Sequence, residues 1–160
     1  MLCEERDLAS LVEELVNILE AEEKIYQILI GYGERKRDVL IAADVPALEE
    51  ITALEQLKSD ELIQLSNKQV QVLADVATVL GKTGEKMTVS RLIACLGSQP
   101  KVQEQLTIAR DNLIAAADKM KSLNDENIVL IQQAIELNEF DLTLFKSLRQ
   151  APETANYNKS

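Results

Sequence analysis

The sequence predicts an all-α protein, an antiparallel bundle of three long helices with at least one short helix. Three observations predict it. Apolar residues recur at alternating four- and three-residue steps through most of the chain. Aromatic residues make up only 3% while hydrophobic residues make up 46%, and five Gly and three Pro among 160 residues are too few for a turn-rich β architecture. The core must then be built from Leu, Ile, Val and Ala, and a chain of this length buries about 70% of its unfolded surface around one such core. No internal repeat or low-complexity linker divides it. Residues 1–150 read as a single helical-bundle domain, and 151–160, with Pro152, two Asn and no periodicity, as a mobile C-terminal tail.

The first helix is expected over residues 5–42. Leu8, Val12, Leu15, Leu19, Tyr26, Leu29 and Leu40 fall on one seam, interrupted by Glu22, Gly33 and Lys36. A flanking row of Leu11, Ile18, Ile25, Ile28, Tyr32 and Val39 widens this face enough to meet two neighbours. Gly31 and Gly33 each cost about 1 kcal/mol relative to Ala inside a helix, so a bend is expected there. Asp44 followed by Pro46 reads as an N-cap with proline in the first turn, which starts a second, antiparallel helix over 45–80. Its stripe, Leu48, Ile51, Leu62, Leu65, Val72, Val76 and Val79, is broken by Glu55, Lys58 and Gln69.

Gly81-Lys82-Thr83-Gly84 stops that helix, Thr88 or Ser90 caps a short one through Leu96, Gly97 ends it, and Pro100 opens the last. From Val102 to Leu148 the seam positions are apolar except Asn127 and Asp141. Such a period marks coiled-coil-like packing, and a rod on the order of 70 Å, at ~1.5 Å per residue, needs partner helices of similar length.

Several function classes are excluded by what is missing. There is no histidine, hence no imidazole base, no Glu-x-x-His metal pair and no phosphohistidine. Gly81-Lys82-Thr83 lacks the earlier glycine and the preceding strand of a phosphate-binding loop. Adjacent acids such as Glu13-Glu14, Glu22-Glu23 and Glu49-Glu50 diverge by about 100° on a helix and read as a solvated face. Arg35-Lys36-Arg37, bracketed by Glu34 and Asp38, also reads as surface. No enzyme activity, cofactor or metal is expected.

A net charge of -10 with no basic face argues against nucleic acid and anionic membranes, and no apolar stretch is long enough for stable membrane insertion. Cys3 and Cys95 lack paired spacing and read as two free thiols in a reducing compartment, and the acidic N-terminus is unlike a signal peptide, so a cytoplasmic location is expected.

The positive signal lies on the last helix. Before residue 128 its second row is mostly polar or small, at Arg110, Ile114, Ala117, Lys121 and Asn124. After it the row becomes Ile128, Ile131, Ile135, Asn138, Leu142 and Phe145. Each exposed Ile, Leu or Phe forgoes about 1.5–3 kcal/mol of burial, which favours association with a partner helix. The bland alternative is that both rows pack within the chain's own bundle. Asn127 and Asp141 either fix the register of the seam or lie in layers open to water. The candidate partner-binding set is Asn127, Ile128, Ile131, Ile135, Asn138, Leu142 and Phe145, with the two asparagines orienting the partner.

Particular segments carry a family resemblance. They are Glu20-Ala21-Glu22-Glu23, then Glu34-Arg35-Lys36-Arg37-Asp38-Val39-Leu40-Ile41, the restart Asp44-Val45-Pro46-Ala47-Leu48-Glu49-Glu50-Ile51, and Leu123-Asn124-Asp125-Glu126-Asn127 followed by Leu130 and Asn138. In this order, from about Leu8 to Leu148, the chain resembles the FlgN family of cytoplasmic flagellar type III export chaperones.

The resemblance implies binding of the C-terminal helical segment of hook-filament junction proteins, prevention of their premature assembly, and delivery to the export apparatus. It also implies that the segment from Asn124 onward carries the binding. Tyr157-Asn158-Lys159-Ser160 keeps the tyrosine of a Tyr-Gly-x-x-Gly sequence found in some members but neither glycine, which leaves the associated export-gate contact in doubt for this chain. The competing reading from a different class is a structural coiled-coil adaptor whose broad faces mediate self-assembly into a homo-oligomer.

Overall fold

The computed structural model describes the backbone of residues 2–159 and the side chains of residues 7–139 together with Leu142 and Lys146. Four helices follow one another: α1 (Leu2–Ala42), α2 (Val45–Val79), α3 (Val89–Cys95) and α4 (Pro100–Lys159), with no strand among the described residues. All four stand where the apolar periodicity and the cap residues put them. The helical backbone of α4 runs on past Ala151, where the sequence predicts a tail, and no glycine follows to end it. The side chains of that stretch lie outside the described residues.

The chain runs up, down and up. The Lys36–Glu55 pair joins the last turns of α1 to the first turns of α2 and so fixes an antiparallel hairpin. The succession of Lys24 near Ala109, Gly33 on Asn127 and Leu40 near Ile135 sets α4 parallel to α1. The main contacts run from α1 to α2 and from α1 to α4, with α3 resting on α4, and among the described residues no comparable contact joins α2 to α4. Helix α1 is therefore the middle member, which explains why its sequence carries two apolar rows rather than one.

The core is thickest at the α3 end. There Val12, Leu15, Val16, Ile18 and Leu19 of α1 meet Val72, Leu73, Val76 and Ala77 of α2 and Leu106 and Ala109 of α4. The short helix closes the same cluster: Leu92 is 0% exposed, and Met87, Val89 and Leu96 pack around it. Each such fully buried aliphatic side chain contributes about 1.5–3 kcal/mol relative to exposure. Apolar contact between α3 and the long helices replaces the direct α2–α4 contact missing elsewhere.

The connections are built from caps. Gly81, at φ 70°, ends α2 in a left-handed turn, and the N–H groups of Gly81 and Lys82 return to the carbonyls of Thr78 and Ala77. These two bonds form a Schellman motif, so Gly81-Lys82-Thr83 is a helix stop that follows a helix, not a strand. Thr88 caps α3, accepting from the Arg91 N–H at 3.1 Å. Between α1 and α2 the same kind of stop is made without glycine: Ala43 sits at φ 54°, and the N–H groups of Ala43 and Asp44 bond back to Leu40 and Val39. Asp44 then caps α2, its Oδ1 accepting from the Ala47 N–H at 3.2 Å.

The interruptions of the apolar seams have separate causes. Helix α1 runs unbroken through Gly31 and Gly33. A Cβ on Gly33 would stand 2.7 Å from Leu123 Cδ2, so the glycine admits the α4 side chain. Lys36 and Glu55, polar breaks on two different stripes, face each other at 3.1 Å and are both largely buried. Glu22 departs from the expected solvated acidic face: it is only 6% exposed, and its Oε1 has no hydrogen-bond partner among the described atoms. Burial raises its pKa from 4.5 to about 7. Burial and the Glu22 charge together raise that of Tyr26, one turn along. Lys58, a further polar break on α2, pairs with Glu61 one turn along at 3.1 Å.

The basic run also departs from its expected local neutralisation by Glu34 and Asp38. Lys36 pairs with Glu55 on α2 and Arg37 with Glu126 on α4 at 3.1 Å, so the run ties the middle helix to both neighbours.

A candidate partner-binding surface on the last helix

The apolar row of α4 falls into three groups. Ile128, Ile135 and Leu142 are 50%, 52% and 59% exposed, each a large aliphatic side chain that no other part of the chain covers fully. Ile131 is half-buried and Asn138 is exposed, and both turn toward the end of the α1–α2 hairpin. The side chain of Phe145 lies outside the described residues, as does that of Asp141. Val129 and Leu137 are exposed too, but at about 100° per residue they lie on faces of α4 turned away from this row.

Asn127 does not belong to the exposed group. It is 2% exposed, and its side-chain amide nitrogen donates to the backbone carbonyl of Gly33 at 2.9 Å. A carboxamide buried and held in this way sets the register of α4 against α1, while its Oδ1 has no hydrogen-bond partner among the described atoms. Of the two readings of a polar seam residue, the register one describes Asn127. Its side-chain amide is engaged by the α1 backbone instead of pointing toward a partner.

The structure adds residues that the periodicity of α4 could not reveal. Val39, Leu40 and Ala43 at the end of α1, with Val45 and Leu48 at the start of α2, face Ile131, Ala134 and Ile135 across an open apolar cavity of about 250 Å³. Asp44 and Asn138 are its only polar lining residues. Locating these turn residues requires the parallel α1–α4 register, which depends on contacts some ninety positions apart in sequence. The one signal in the sequence is the unbroken apolar content of Val39-Leu40-Ile41-Ala42-Ala43 at the very end of a helix, where charged residues are more usual.

The lining of this surface is almost wholly aliphatic. Among the described residues no group of His, Cys, Asp or Glu is arranged to hold a metal ion, and no helix is long and apolar enough to cross a membrane. Cys95 is free and exposed, with its sulfur 3.5 Å from Lys82 Nζ, on the far side of the core from the hairpin turn. The side chain of Cys3 lies outside the described residues.

The FlgN family model, described as FlgN protein, matches residues 1–160, the whole of the sequence. No curated protein and no solved structure matches it.

Proposed function

Because the chain belongs to the FlgN family, we propose that it is a cytoplasmic flagellar export chaperone that captures the C-terminal helical segment of hook-filament junction proteins, keeps it from assembling prematurely, and delivers it to the type III export apparatus. The observation that carries this reading is the full-length family match coinciding with the exposed Ile128, Ile135 and Leu142 on the last helix. An assembly-competent amphipathic helix presents an apolar face in water. Laying that face along the α4 row removes apolar surface from solvent on both sides, at about 25 cal/mol per Å², and occupies the contacts that assembly would use.

No bond is made or broken in this mechanism. Ile128, Ile135 and Leu142 supply the contact, Ile131 supports it from the floor, and Asn138 offers hydrogen bonds at the rim. Asn127 acts at one remove by holding α4 in register. Release needs only competition for the same strip by a partner at the export apparatus.

The test is calorimetric titration of the chain with a peptide of the C-terminal helix of its cognate junction protein. The Ile128→Asp/Ile135→Asp variant should lose binding by at least a hundredfold while its helical circular dichroism stays at the wild-type value, since both side chains are about half exposed. Equal affinity of the two proteins would reject this surface. Sedimentation of the free chain as a tight homodimer that hides the row would instead favour the self-assembling adaptor.

A further inference from the structure

Only one wall of the cavity beside Ile131 belongs to α4. The opposite wall is the turn between α1 and α2, with Val45 and Leu48 facing Ile135 and Ala134, and among the described residues no extensive α2–α4 packing closes the space between them. At about 250 Å³ the cavity is larger than the roughly 150 Å³ apolar voids that hold a benzene-sized group, and it is far too small for a helix. It is continuous with the exposed α4 row, because Ile131, Ile135 and Asn138 line both.

Asp44 is the one charged residue that lines it, and the chain segments that form it carry acids but no bases. No lysine or arginine occurs from Asp38 to Leu57 or from Ser122 to Phe145, whereas Asp44, Glu49, Glu50 and Glu136 do. The two nearest bases of α1 that point across to other helices, Lys36 and Arg37, are taken up by Glu55 and Glu126.

From this geometry we infer that the α1–α2 turn is the second wall of the client site, and that it receives one apolar anchor side chain from a client helix whose flanks carry Lys or Arg. The inference rests on the chaperone reading and deepens it. The anchor fills the apolar recess that opens beside the row, as buried anchors do at the centres of interfaces. The basic flank meets the acidic rim, which speeds and orients docking in a salt-dependent way.

The experiment uses the full chain and the same junction-protein peptide, with three variants. Val45→Ser removes the turn wall at an exposed first-turn position, so folding is preserved, and it should weaken binding about tenfold. Raising salt from about 50 to about 300 mM should weaken wild-type binding several-fold, and Glu49→Gln/Glu50→Gln should flatten that dependence. Ile128→Asp serves as the control for the α4 row. If Ile128→Asp abolishes binding while Val45→Ser and salt leave it unchanged, the turn is not a wall of the site and the inference is overturned, with the chaperone reading intact. If the peptide fails to bind the wild-type chain, the chaperone reading itself falls and takes the inference with it.

Discussion

The side-chain amide of Asn127 donates to the carbonyl of Gly33, 94 positions earlier in the chain, at 2.9 Å. The same glycine leaves room for Leu123, whose Cδ2 would lie 2.7 Å from any Cβ placed there. One turn of α4 thus grips one turn of α1 by a hydrogen bond and by shape, midway between the α3-capped core and the exposed apolar row.

Replacing Asn127 by Ala should cost about 1–2 kcal/mol of stability, the value of a buried hydrogen bond whose acceptor is left behind. Urea unfolding measures the loss. Because Asn127 is 2% exposed, affinity for a client peptide should fall far less than in Ile128→Asp.

The two glycines of α1 should respond in opposite directions. Gly31 has nothing within 4 Å of an added Cβ, so Gly31→Ala gains helix propensity and should stabilise by about 0.5–1 kcal/mol. Gly33→Ala gains the same propensity but drives a methyl into Leu123. The overpacking cost of about 1–3 kcal/mol should leave it net destabilised. Thermal melts of the two variants side by side decide the matter.

Stability should fall as pH rises through the neutral range. Burial raises the Glu22 carboxyl from 4.5 to about 7, so the folded chain holds a proton that the unfolded chain has already released. The stabilisation from neutral Glu22 is complete below about pH 4.5, declines from there to about pH 7, and is gone above it. Each tenfold difference in proton affinity between the folded and unfolded chains is worth about 1.4 kcal/mol, which makes the whole loss on the order of 3 kcal/mol. Denaturant titrations at pH 5.5 and pH 8 should show most of it, and Glu22→Gln should remove most of the difference.

Ala43 holds a left-handed φ of 54° in the stop that ends α1. An L side chain costs about 1–2 kcal/mol there, so Ala43→Gly should raise the unfolding free energy by about 1 kcal/mol, read from the denaturant midpoint. No change would mean that added freedom in the unfolded chain offsets the relieved strain.

Much of this architecture is legible in the sequence because it is local. The seam spacings mark the long helices, Asp44 with Pro46 marks the start of α2, and Gly81 marks its end. The irregular positions are visible as breaks, but their causes are not. Glu22, Gly33, Lys36 and Glu55 make sense only once α2 is laid antiparallel and α4 parallel to α1, and that register rests on contacts between distant positions. The same limit applies to the candidate site. The exposed row on α4 is a periodicity and can be read, whereas Val45 and Leu48 join it only through the fold. Asn127 marks a special place on the seam, yet its carbonyl partner belongs to a backbone that sequence pattern does not describe.

The middle position of α1 has a consequence for the order in which the protein can be completed on the ribosome. The first segment to emerge is the one that both later helices need. The α1–α2 hairpin, closed by a very short turn, can form while the rest is still being translated, but it leaves one flank of α1 bare. That flank waits for α4, which begins only at Pro100, after α2 has ended at Val79, and until α4 is made the nascent hairpin presents a sticky edge to whatever is nearby.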